Sequence, residues 1–332
     1  MMCRGRGVAA MSVVESLRSQ AVSQPKRKGS TMQQRQMMWG LFFLTPWLIG
    51  FFAFQLLPIV TTIFLSFTDY TGTKEFVPGN FNLVGLDNYG RLFSDLYAVP
   101  SMKVTLKYAL IGIPLGLIVP LCFALLVNSK HLLGTNLFRT LFFMPTVIPV
   151  VAGTVIFGGV LNAQSGWINL ALRAIGIANP PRWFSDPTWS VPALNLLGLW
   201  GVGNGMLILL AALQGVPTEL YEAAIVDGAS WFRRLWNITI PMISPVIFYN
   251  ITLGVIGAFQ YFVPAMLIGG LNGDPQRSLL FFPLHFYRQA FSFSEMGYAS
   301  VLALLLFVII MIATALLFFF AQRLVYYAGG ES

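Results

Sequence analysis

A helix needs about 20 apolar residues to cross the hydrocarbon core of a bilayer. Six segments of this chain reach that length: Trp39–Leu65, Thr105–Val127, Leu141–Leu161, Val191–Leu213, Pro245–Ile268 and Tyr298–Phe319. No other feature constrains the fold as strongly, and it predicts an all-α polytopic membrane protein with six transmembrane helices. Composition agrees: 56% of residues are hydrophobic and 10% charged, where a soluble domain carries about 25% charged residues. Mean hydropathy is +0.73. Lipid is therefore the solvent for most of the surface.

The formal charge of +8 takes a membrane reading. Its basic residues do not interleave with aromatics on one face, as a nucleic-acid groove requires, so no nucleic-acid partner is expected. Cys3 sits in a basic tail and Cys122 inside an apolar run, which leaves no disulfide framework. His131 and His285 lack a second ligand three or four residues away. They read as interfacial or packed histidines, and no metal site is expected.

The chain divides into a basic tail, 1–37, a six-helix transmembrane domain, 38–325 (core about 101–322), and a short end, 326–332. The tail reads as cytoplasmic, not as a signal peptide, because the apolar run behind it is too long for an h-region. Orientation follows the Lys/Arg bias. With the N-terminus inside, the inner segments hold 12 basic residues and the outer ones 8. Both termini are then expected to be cytoplasmic. Pro46, Pro58, Pro114, Pro120, Pro145, Pro149 and Pro264 fall within the spans. They suggest kinks around a cavity or simple packing bends. Trp167, Trp183 and Trp189 lie where an outer interfacial belt would put them.

Between the fourth and fifth spans lies a polar island, 217–241. Thr218 reads as its N-cap, and Glu219 and Glu222 sit in the first turns, where the helix dipole favours acids. Ala223 and Ala224 permit close approach of another surface, and Asp227-Gly228 stops the helix. Ser230 caps a second short helix, ended by Pro241. A helix lying among headgroups is the alternative, but three acids without a base would be repelled by anionic lipid. A partner groove on the inner side fits better.

The run Glu222-Ala223-Ala224, Asp227-Gly228-Ala229, Ile238 and Pro241 resembles the EAA loop of binding-protein-dependent ABC importer permeases. Leu65-Ser66-Phe67-Thr68-Asp69-Tyr70, Val84-Gly85-Leu86-Asp87-Asn88-Tyr89 and Gly297-Tyr298-Ala299-Ser300 resemble the carbohydrate branch of that family, the group of maltose-type and glycerol-3-phosphate-type permeases. The likeness covers roughly 38–325, without the large outer insertion of the maltose type. It implies a type I importer permease fold and alternating access. It also implies a second permease, two ATP-binding subunits that hold ATP and Mg, and an external solute-binding protein. Glu222, Ala223, Ala224, Asp227 and Gly228 would then couple the chain to the ATPase. No cofactor is expected in this chain itself.

Ionisable residues are nearly absent from the spans, so the pathway is expected to be neutral and polar, which suits a sugar or related polyol. Hydroxyls need amide partners, and sugar C–H faces stack on aromatics. Candidates are Asn195, Trp200 and Asn204 among glycines of the fourth span, and Asn250, Gly254, Gln260 and Tyr261 of the fifth. Trp200 and Asn204, four apart, would share a helix face. Interhelical packing explains each of these residues equally well. No phosphate loop of the G-x-x-x-x-G-K-[ST] type occurs, so the chain is expected to be a transport subunit, not an enzyme. The rival reading is an ion-gradient-driven secondary transporter of a neutral solute. That class needs an intramembrane acid or an unwound ion site.

Overall fold

The computed structural model describes residues 31–129 and 132–326. Most of the basic tail, Lys130, His131 and the last six residues lie outside that range, as does the packing expected of His131. Two units divide the chain, 1–60 and 61–332. In the first, helix Thr31–Phe51 begins within the stretch read as tail and leads into a π turn, Phe52–Leu56. The helical run continues along the chain to Leu65.

The second unit is built on helix Ala98–Val127, which packs against Gly203–Gln214, Ile240–Phe259, Pro187–Trp200 and Phe282–Phe291. One end of this bundle is filled by Ala124, Val127, Met206, Leu209, Leu213 and Ile243. Towards the other end, Tyr108, Leu194, Ala258 and Phe281 form one cluster, and Phe259, Phe282, Tyr298 and Leu302 another. Large apolar side chains stay on the outside, among them Leu110 at 75% exposure and Phe318 at 55%. That inversion of the soluble rule is what a lipid solvent permits. Among the described residues there is no strand, only an isolated bridge between Thr68 and Leu83.

Among the described residues, four helices are long and apolar enough to cross a membrane: Arg35–Leu65, Ala98–Val127, Trp231–Gly269 and Met296–Ala321. Six spans result when each of two bent pairs counts as one. The predicted third span is broken: Thr135–Val147 and Val150–Val160 meet at 104°. Ile148 precedes Pro149 and takes an extended ψ of 126°, because the proline ring excludes the helical region for its predecessor. The fourth bends by 53° between Trp200 and Gly203. There a Cβ at 203 would collide with the Phe142 carbonyl, so glycine permits the close crossing at this bend.

The fifth span starts earlier than its apolar run. Trp231–Arg234, a π turn at Leu235–Thr239 and Ile240–Phe259 are continuous, so Pro241 does not end the second island helix. A proline at 241 cannot donate to the carbonyl four residues back, and the widened turn just before it absorbs that loss. The π turn at Phe52–Leu56 stands in the same relation to Pro58. Trp183 departs from the belt reading. It is buried, and its indole donates to Asn169 Oδ1 at 2.7 Å.

Candidate functional site

Three places gather the sequence candidates. The first is the polar island. Helix Thr218–Val226 forms as expected, but its N-cap is Pro217, with no side-chain cap bond. Pro217 has φ −56° and an extended ψ of 131°. The ring already fixes φ near that value, so the chain enters the helix at Thr218 without needing a hydroxyl. Glu222, Ala223 and Asp227 are exposed, Ala224 is half-buried, and Tyr221 turns inward. Gly228 has φ +71°, and a Cβ added there would meet only open space. The constraint is backbone handedness, not room. Ser230 Oγ accepts from Arg233 N at 3.4 Å and starts the next helix, as expected.

The second place is a cavity of about 340 Å³ lined by Tyr108, Gly112, Asn195, Asn250, Gly254 and Tyr261 among apolar neighbours. Its lining carries no charged residue. The amides of Asn195 and Asn250 donate back to Val191 and Val246 carbonyls, at 3.1 and 2.9 Å. Each amide oxygen thereby remains an acceptor. The rings of Tyr108 and Tyr261 stack at 4.3 Å with planes 22° apart.

A second uncharged cavity of about 310 Å³ is lined by Pro145, Thr146, Trp200, Gly201, Asn204 and Tyr261, among others. Trp200 and Asn204 meet here, though not by sharing a helix face. One helix ends at Trp200 and the next begins at Gly203, so the break, not the four-residue period, brings them together. Tyr261 lines both cavities. It sits in the non-helical gap between Ile240–Phe259 and Val263–Gly269, and its hydroxyl is buried without a hydrogen-bond partner. Gln260 is exposed and lines neither cavity.

Sequence reasoning missed Tyr108 and Gly112. Tyr108, Gly112 and Gly116 recur every fourth residue and all line the first cavity, a helical face that the spacing alone could have flagged.

The third place joins two residues outside the spans, Asp95 and His285, to Tyr298 in the first turn of the last one. Asp95 Oδ2 takes hydrogen bonds from His285 Nε2 at 2.7 Å and Tyr298 Oη at 2.5 Å. Burial pushes the Asp95 carboxyl up, but the bonds from Tyr298, His285 and the Tyr97 N–H outweigh it and hold it below its ordinary value. Burial pushes His285 down, and the neighbouring carboxylate only partly offsets this. A neutral imidazole donating from Nε2 to a carboxylate satisfies both directions. Beside this cluster, Arg91 pairs with Glu295 at 2.6 Å and lies over the Tyr298 ring.

Broken helices around uncharged cavities, with a short exposed helix between two spans, define a polytopic membrane permease. Known proteins of that class resemble it closely. The chain belongs to the binding-protein-dependent transport system inner membrane component family, whose model matches residues 112–326. It is 37% identical to a probable ABC transporter permease protein, YesP, of Bacillus subtilis (strain 168), over 81% of this chain and 85% of that one. It is 30% identical to the trehalose/maltose transport system permease protein MalF of Thermococcus litoralis, over 84% and 92%. Its fold is similar to a chain of the bacterial alginate ABC transporter solved in complex with an alginate pentasaccharide-bound periplasmic protein. That match has a TM-score of 0.74 and 20% identity, over 89% of this chain and 98% of the other. At that identity the likeness is one of fold. The protein is a multi-pass transport component of the ABC type, not an enzyme, and the gradient-driven rival does not apply.

Proposed function

We propose that this chain forms half of the translocation pathway of an ATP-driven importer for a neutral oligosaccharide, disaccharide or related polyol. The observation that carries the reading is the pair of uncharged cavities meeting at Tyr261. Amide acceptors from Asn195 and Asn250, and aromatic faces from Tyr108, Tyr261 and Trp200, match a ligand of hydroxyls and C–H faces. The relatives support it, since one is named for trehalose and maltose and another for arabinooligosaccharides.

The partners in this reading are a second permease, two ATP-binding subunits and an external solute-binding protein. ATP and Mg belong to the ATP-binding subunits, and no cofactor belongs to this chain. The exposed face of Glu222, Ala223, Asp227 and Gly228 docks the ATPase, with Ala224 half-buried beneath it. Glu222 supplies the polar contact, Ala223 and Ala224 the close approach, and Gly228 the turn. Both termini and this loop are cytoplasmic, in keeping with the excess of basic residues on that side.

The test is uptake of labelled neutral disaccharides into proteoliposomes holding the whole complex, with ATP inside and binding protein outside. Uptake requiring both supports the reading. Glu222→Lys and Gly228→Pro are expected to abolish uptake, at least about a hundredfold, while the chain stays in the membrane. The first puts a charge of the wrong sign into the contact, and the second cannot adopt φ +71°. Wild-type uptake in both variants would remove the coupling role from this loop.

A further inference from the structure

The island and the fifth span are joined by a bond that the importer reading does not assign. Tyr221 Oη lies 2.9 Å from Thr239 Oγ1, across 18 residues of chain. Thr239 is buried, at 5% exposure, and is the last residue of the π turn Leu235–Thr239. Its hydroxyl proton points back to the Arg234 carbonyl at 3.4 Å, so Tyr221 is the donor to it. Tyr221 belongs to helix Thr218–Val226, whose opposite face is the exposed one.

Resting on that importer reading, we propose that Tyr221 is a positioning residue. Its bond to Thr239 is the strut through which motion of the short helix reaches the pathway-lining helix Ile240–Phe259. Three observations carry this. Gly228, with φ +71°, is a turn with open space around it, and a glycine turn by itself transmits little force. Tyr221 is not locked by packing alone, because a cavity of about 210 Å³ lies beside it, lined by Leu213, Tyr221, Arg234 and Thr239. The π turn that holds Thr239 widens the helix just before Pro241. Such turns are rare, and those that occur are frequently at functional sites. From Thr239 the helix rises about 16 Å to Asn250, the first of its polar residues on the 340 Å³ cavity. A push on the exposed face is thus carried through ring, hydroxyl and helix to the cavity wall. Without the bond the short helix rocks at Gly228 and the push is lost.

The experiment measures sugar imported per ATP hydrolysed in proteoliposomes holding the full complex and its binding protein. Wild type is measured first, and lack of ATP-dependent uptake there overturns the importer reading and this proposal with it. Given coupled wild type, Tyr221→Phe is expected to keep complex assembly and hydrolysis but import about fivefold less sugar per ATP, the factor set by one net hydrogen bond. Thr239→Val is expected to do the same, Thr239→Ser to keep the wild-type ratio, and the double variant to be no worse than either single one. A wild-type ratio in Tyr221→Phe and Thr239→Val overturns the strut while leaving the importer reading standing. So does a parallel fall in uptake and hydrolysis that tracks lost complex, since that is what a merely structural bond produces.

Discussion

Tyr261 illustrates what one side chain can carry at the meeting of two cavities. A buried hydroxyl without a partner costs its fold about 1–3 kcal/mol, and the Tyr261 hydroxyl has none. Tyr261→Phe removes that cost and keeps the ring on Tyr108. The thermal midpoint in detergent is therefore expected to stay level or rise. If the hydroxyl serves the transported solute, KM for uptake rises about fivefold, as loss of one net hydrogen bond predicts. Tyr261→Ala loses the stacked pair as well and is expected to lower both stability and uptake. An unchanged KM in Tyr261→Phe takes the hydroxyl out of the pathway. The sequence shows Tyr261 as an aromatic beside an amide in a glycine-bearing span. It does not show that a helix ends at Phe259 and leaves the next residues free to turn, and Gln260 was indistinguishable from Tyr261 for that reason.

Between elements, the bonds of Asp95 tie the segment before Ala98–Val127 to Phe282–Phe291 and to the helix that starts at Met296. Both titrating partners have folded values below their ordinary ones, 3.8 for Asp95 and 6.5 for His285. The folded state then holds fewer protons than the unfolded one as acid is added, so both contribute stability that is lost on acidification. For His285 the loss begins as pH falls below about 6.5 and continues through its lowered value. For Asp95 it begins below about 3.8. The detergent-solubilised protein is expected to melt progressively lower between pH 7 and 5, and His285→Gln, which cannot titrate, to flatten that slope. A slope equal to wild type in this variant assigns the acid sensitivity elsewhere. This contact joins residues 190 positions apart, and no local spacing announces it. The apolar runs, the EAA-like segment and the glycine turn at 228 were legible because length and backbone handedness are local properties. The breaks at Ile148 and between Trp200 and Gly203 were not. Apolar length reads straight across a bend, and the prolines marked a kink without giving its angle.

For the whole molecule, the balance of charge supports the proposed topology, which each loop alone leaves open. Twelve basic residues lie on one side of the six-span arrangement and eight on the other, and Lys/Arg are retained on the cytoplasmic side. The proposed orientation puts Val226, 87% exposed in the polar island, inside, and Leu96, 80% exposed before the second span, outside. In a background of Cys3→Ser and Cys122→Ser, Val226→Cys is expected to react with a membrane-impermeant maleimide only in inverted vesicles. Leu96→Cys is expected to react only in right-side-out vesicles. Addition of the ATP-binding subunits to the inverted vesicles should then slow labelling at 226 by about tenfold. Val226 follows Glu222 by one helical turn, and a docked groove covers that distance. Reversed labelling would put the island on the face where no ATP is available and end the coupling model. Correct sidedness without protection would keep the topology and move the docking surface off this helix. The two readouts thus separate the orientation proposed from charge from the docking proposed for one exposed turn.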